Sequence, residues 1–274
     1  MRSALRFVDK GSIESDHSRR SVLRWIDVKR PRSDRPPRIL ADTVPRRAQP
    51  QERADSGVAF GRYTLFEVLG QGEKSEVFLA RVDGPEDFEK RCAIERLARE
   101  HLEDTAAVEA FISRARLASA LHHPNLVEIY DVGEIAKHPY VAREYVDGLN
   151  LEIYLKARAD RGQGPAPMAL ALYVTGELCR ALAYLRSLTG SDGRPRSVVH
   201  GNLVTRSILL GRQGTVKLTD FLSPGSSERN VIDDLNAVVS LCHTMILGRT
   251  PTSEEAQAFE GVPPRLAAVL RRVR

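Results

Sequence analysis

The sequence predicts an α+β fold in which a small antiparallel β-sheet lobe carrying one helix precedes a larger, mainly helical lobe. Three observations lead there. Residues 63–69 and 76–82 alternate apolar and polar side chains on either side of a Gly-rich turn, the pattern of a hairpin. Residues 105–121 space Val108, Phe111, Ile112, Ala115, Leu117, Ala118 and Leu121 along one helical face. Residues 169–188 and 233–247 then read as two long helices.

Taken in order, residues 1–58 form a basic tail. Residues 1–60 hold 14 Lys/Arg against 8 Asp/Glu; from chain totals of 41 and 36 this leaves 27 against 28 for the rest. The positive excess therefore belongs to the tail, and a nucleic-acid or anionic-membrane role would rest on the tail alone. Residues 29–53 are rich in Pro and Arg without apolar periodicity, which predicts disorder. Trp25, the only tryptophan, lies in an apolar stretch that could dock on the domain or on a partner. The next segment, 59–147, is the sheet lobe: strands at 63–69, 76–82 and 91–97, the helix at 105–121, then strands at 126–131 and 140–145. The last segment, 148–274, holds the helices at 169–188, 233–247 and 265–273, with two short strands at 207–210 and 215–219 around a Gly-bounded turn.

Bulk properties narrow the class further. At 274 residues the chain is long enough for a sizeable core. Its apolar run at 237–247 is short and broken by Ser240, His243 and Thr244, so a core helix is expected rather than a membrane span. No apolar stretch with a cleavage site follows the N-terminal arginines, so no secretory signal is read. Cys92, Cys179 and Cys242 are far apart, without C-x-x-C spacing; that argues against a disulfide framework or zinc site and points to a cytoplasmic protein.

Seven motifs in order carry a family resemblance. They are Leu69-Gly-Gln-Gly-Glu-Lys-Ser-Glu-Val-Phe-Leu-Ala80, Cys92-Ala-Ile-Glu95, His122-His-Pro-Asn-Leu-Val127 and Arg143-Glu-Tyr-Val-Asp-Gly148. Val199-His-Gly-Asn-Leu203, Lys217-Leu-Thr-Asp-Phe-Leu222 and Asp234 through Gly248-Arg-Thr-Pro251 complete the set. In that order they resemble the Gly-rich loop, the V-A-I-K strand, the turn after the C-helix and the hinge of bacterial eukaryotic-like serine/threonine protein kinases. The last three resemble the H-R-D-L loop, the D-F-G strand and the core helix with its G-R-x-P exit. Glu95 and Arg114 are 19 residues apart and Asn202 and Asp220 are 18 apart, spacings that agree with the family's. The resemblance implies a two-lobed protein-kinase-like fold. Because the chain stops within what reads as the penultimate helix, it also implies a shortened C-lobe.

It implies, too, that most of the residues for phosphoryl transfer are replaced. The lysine that holds the α/β-phosphates is Glu95, and its C-helix glutamate is Arg114, an inverted ion pair. The catalytic base is Asn202 and the loop lysine is Val204, so no catalytic residue is intact; His200 reads as a structural histidine. The glycine after Asp220-Phe221 is Leu222, and only 13 residues separate Asp220 from Asp234, too few for a peptide-substrate platform. Asp220 keeps its identity as a metal ligand, and Ser207 stands, as a poor ligand, where a second magnesium would be held. By resemblance Gly70, Gly72, Val77, Ala93, Glu144 and Val146 line the nucleotide pocket, with Arg143 at the gatekeeper position. A buried guanidinium needs partners, so Glu95, Arg114, Arg143 and Asp220 are expected to form a balanced network filling the cleft of Mg-ATP.

The resulting expectation is a catalytically inactive pseudokinase acting as a signalling scaffold or allosteric partner, with a protein partner such as an active kinase. No cofactor is expected, ATP and Mg²⁺ entering only if the pocket is open. The alternatives are an atypical serine/threonine kinase or ATP-binding switch, and an adaptor whose basic tail binds nucleic acid or anionic membrane.

Overall fold

A computed structural model of the chain describes residues 57–84, 89–190, 193–194, 198–220 and 230–252. The basic tail, Trp25, Phe221, Leu222 and the helix expected at 265–273 lie outside the described residues.

The first lobe is a six-stranded antiparallel sheet in the order β1-β2-β3-β4-β6-β5. Its strands are β1 (Val58–Phe60), β2 (Tyr63–Gln71), β3 (Ser75–Asp83), β4 (Glu89–Leu97), β5 (Ile129–Ile135) and β6 (His138–Glu144). The alternation read along β2 is real at its start, where Tyr63 and Leu65 are buried and Thr64 and Phe66 are not. In β4 the alternation fails: Cys92, Ala93, Ile94 and Glu95 are all buried. The reason is that both faces are covered. Cys92 and Ile94 join Phe60, Tyr63, Leu65, Ala80 and Tyr140 in one apolar cluster, while Leu97 joins Phe111, Ala115 and Val141 in another, beneath the helix α1 (Thr105–Ser119). Helix α1 starts at Asp104, whose carboxylate accepts from the Ala107 N–H at 3.1 Å, and it buries Ala107, Phe111, Ala115 and Ala118 at helical spacing.

Two expectations need correction here. Residues 126–128 are not part of a strand, which begins at Ile129 and continues to Ile135. Leu126 and Val127 are buried for another reason: the chain before β5 docks on the second lobe, bridging Leu126 to Leu218. Helix α1 also ends at Ser119, two residues early, and Leu121 packs into the second core instead.

That second lobe is built on helices α2 (Leu151–Asp160), α3 (Met168–Ser187) and α4 (Val231–Leu247) with a three-stranded sheet of β7 (Gly148–Asn150), β8 (Ile208–Gly211) and β9 (Val216–Leu218). Among the described residues α3 alone is long and apolar enough to cross a membrane. It buries Leu170, Val174, Leu178, Ala181 and Leu185 in the core beside Val238, Leu241 and Met245 of α4. Asn230 caps α4, accepting from the Ile232 and Asp233 N–H groups, and Gly248 ends it at φ 76°.

Candidate functional site

The site lies where the two sheets meet. Ala93 pairs with Arg143 and Glu95 with Val141 across β4 and β6, so Glu95 and Arg143 stand on one sheet face, a diagonal step apart. Helix α1 covers that face and brings Arg114 to it, one turn beyond Phe111. From the other lobe the end of β9 delivers Thr219 and Asp220, the latter held at φ 60°, a left-handed conformation that costs a non-glycine residue energy.

These residues form a continuous ionic network. Arg114 Nη2 lies 2.9 Å from Glu95 Oε1, and the Ser75 hydroxyl donates to the same oxygen at 3.0 Å. Arg143 Nη1 lies 3.0 Å from Glu95 Oε2 and 3.2 Å from Asp220 Oδ1, and donates to Thr219 Oγ1 at 2.8 Å. The Glu95 and Arg143 side chains are only 9% and 12% exposed, so each depends on its partners. Burial alone would lower the Arg143 pKa, but the Glu95 and Asp220 carboxylates outweigh it and hold the guanidinium above its ordinary value.

The loop after α3 is pinned from beneath. Asp234, near the start of α4, accepts from the backbone N–H groups of His200 at 2.7 Å and Gly201 at 2.9 Å. His200 is fully buried; its Nδ1 accepts from Asn202 N–H and its Nε2 donates to the Thr219 carbonyl, each at 3.2 Å. Asn202, at the base position, turns its amide towards the Asp220 carbonyl at 3.4 Å. It offers a donor where a proton acceptor would be required.

A cleft of about 1470 Å³ runs in front of the network, lined by Gly70, Gly72, Val77, Ala93, Glu144, Val146 and Asn202 as well as by the four charged residues. The expectation that the network fills the cleft is therefore corrected: it closes the back wall and leaves the front open. The Glu144 carboxylate is held by Lys217 Nζ at 2.6 Å. Val204 and Ser207 are not cleft-lining residues. The Ser207 hydroxyl is buried and occupied, donating to the Val204 carbonyl at 2.8 Å and accepting from its N–H at 3.1 Å. Among the described residues no three His, Cys, Asp or Glu side chains gather as a metal would need. With Asp220 Oδ1 against a guanidinium and Ser207 turned away, the donors as placed do not fit Mg²⁺.

Sequence reasoning missed Thr219 and Ser75, both of which bond the network. Each had a signal: Thr219 precedes Asp220 directly, and Ser75 replaces the third glycine of the loop over Glu95.

A sheet lobe with one helix, a helical lobe, and a cleft between Gly-rich hairpin and hinge define a protein-kinase domain. Residues 63–231 match the family of protein tyrosine and serine/threonine kinases, and the chain belongs to that family, among its bacterial eukaryotic-like members. It is 33% identical over 162 residues to the tyrosine-protein kinase MasK of Myxococcus xanthus, covering 59% of this chain and 25% of that one. To the serine/threonine-protein kinase PrkC of Bacillus subtilis it is 30% identical over 185 residues, covering 67% and 26%. The chain thus spans about a quarter of the length of these curated relatives. The crystal structure of the Mycobacterium tuberculosis PknI kinase domain superposes with a TM-score of 0.60 at 24% identity, covering 80% of this chain and 90% of that one, a likeness of fold.

Proposed function

We propose that this kinase-family domain does not transfer phosphate and acts in the cytoplasm as a scaffold or allosteric partner of another signalling protein, an active kinase being the first to test. One observation carries the reading: Glu95 stands where the phosphate-holding lysine belongs and is already paired to Arg114 and Arg143. A carboxylate there repels the α/β-phosphates that a lysine would hold. Asn202 in the base position adds to it, since general-base catalysis contributes about 10²–10⁴-fold. A second reading, a nucleotide-binding switch, is favoured by the open cleft, which keeps Gly70, Val77 and Ala93 along its wall.

Thermal melting with ATP, with and without Mg²⁺, separates the readings. For the scaffold the melting temperature stays flat in both series and no labelled phosphate is incorporated. A rise that scales with ATP concentration, as linkage requires, favours the switch. Incorporation that disappears in Asp220→Ala defeats both.

A further inference from the structure

The position of Arg143 goes beyond a neutralised cleft. A single nitrogen, Nη1, gathers Glu95 Oε2 at 3.0 Å, Thr219 Oγ1 at 2.8 Å and Asp220 Oδ1 at 3.2 Å. Glu95 belongs to the six-stranded sheet, and Thr219 and Asp220 follow the last strand of the three-stranded sheet. Two carboxylates that converge on one point require a positive charge there. Arg114 does not supply it, because it engages the other Glu95 oxygen, Oε1.

We propose that Arg143 is a built-in counter-cation, a positioning residue that joins the two lobes across their cleft and stands in for the divalent metal this fold family uses. The proposal rests on the reading of this site as one that does not take Mg-ATP. It also makes a claim about charge rather than shape. Were Arg143 merely filling space, an apolar side chain of similar length would replace it at no loss, as happens with some buried ion pairs. If its charge is what matters, its removal leaves two carboxylates and a hydroxyl facing one point, hard oxygen donors suited to a divalent cation. The variant should then acquire a metal dependence that the natural chain lacks.

The test uses the full chain without nucleotide and titrates Mn²⁺, following thermal melting and, by electron paramagnetic resonance, the free ion. The natural chain should bind no Mn²⁺ in the cleft and melt at an unchanged temperature. Arg143→Met should melt lower without metal and recover at least half of that loss at saturating Mn²⁺, a gain that vanishes when Asp220→Asn is added. Arg143→Lys, which keeps a charge, should stay indifferent to Mn²⁺. Equal stabilisation of the natural chain by Mn²⁺ overturns the proposal, as does a folded Arg143→Met that is neither weakened nor responsive to metal. If Arg143→Met does not fold, Arg143→Lys decides: folded and indifferent supports the counter-cation, while a gain of Mn²⁺ stabilisation or failure to fold defeats it. With no nucleotide present, a failure here is distinct from a failure of the scaffold reading, which ATP-dependent labelling reports.

Discussion

His200 is a neutral group held by the fold. Its Nδ1 receives a backbone hydrogen bond and its Nε2 gives one, and no part of the ring meets solvent. Burial pushes its pKa down to about 4 from 6.5, only partly opposed by the Thr219 carbonyl. The unfolded chain takes up a proton near pH 6.5, whereas the folded one does not until about pH 4. Stability from this group is therefore complete above pH 6.5, falls as the pH drops through the window to about 4, and changes no further below it. The shift corresponds to a loss on the order of 2–4 kcal/mol. Urea midpoints measured between pH 7 and pH 4.5 should fall steeply for the natural chain. They should fall less for His200→Gln, which starts lower but has no proton to gain. Parallel losses in the two proteins would show that His200 is not the titrating group.

Strand β7 shows what a three-residue element can impose. A Cβ on Gly148 would lie 2.0 Å from the Leu210 carbonyl oxygen and 2.8 Å from its carbon, inside the β7–β8 ladder where Gly148 pairs with Gly211. Gly148→Ala must push β7 off β8, and with it the start of α2 and the hinge-side wall of the cleft. A loss of about 1–3 kcal/mol in urea unfolding is expected, with Gly176→Ala in α3 as the contrast, since nothing lies within 4 Å of that position and its backbone is helical. The contrast bears on how much could be read beforehand. Gly148 was legible as the end of a hinge motif, yet β7 was not legible as a strand, because three residues display no period. Helix α2 escaped for a related reason: only Leu151 and Tyr154 of its ten residues are buried, and Ile153 is 46% exposed, so its apolar pattern does not mark a face. Leu126 and Val127 failed in the opposite sense, their apolar character reflecting docking on β9 rather than strand pairing. The charged residues of the site were legible because motif spacing places them. Thr219 and Ser75 carried only their positions beside those motifs as a signal, since a hydroxyl that completes a network looks in sequence like any other.

At the scale of the molecule, two apolar cores are coupled through the segment between α1 and β5. Leu218 N–H donates to the Asn125 carbonyl at 2.8 Å and Val127 N–H to the Leu218 carbonyl at 2.9 Å, so this segment runs beside β9 like an added strand. Asn125 fastens it: its Nδ2 donates to Glu177 Oε2 of α3 at 2.7 Å and to the Val216 carbonyl of β9 at 2.9 Å, in a site where Asn125 is only 6% exposed. Both donors of one amide are in use. Asn125→Ala leaves two buried acceptors without them and should cost about 1–3 kcal/mol. Asn125→Asp keeps the shape but presents a carboxylate to a carboxylate and a carbonyl, so at pH 7 it should cost more than alanine despite filling the space. Acidification lets the aspartic acid regain one donor, and the gap between the two variants should narrow as the pH falls. Urea unfolding of both variants at pH 7 and pH 5 checks the order and the trend. An Asn125→Asp protein at least as stable as Asn125→Ala at pH 7 would mean that packing, not the paired donors, holds the lobes at this joint.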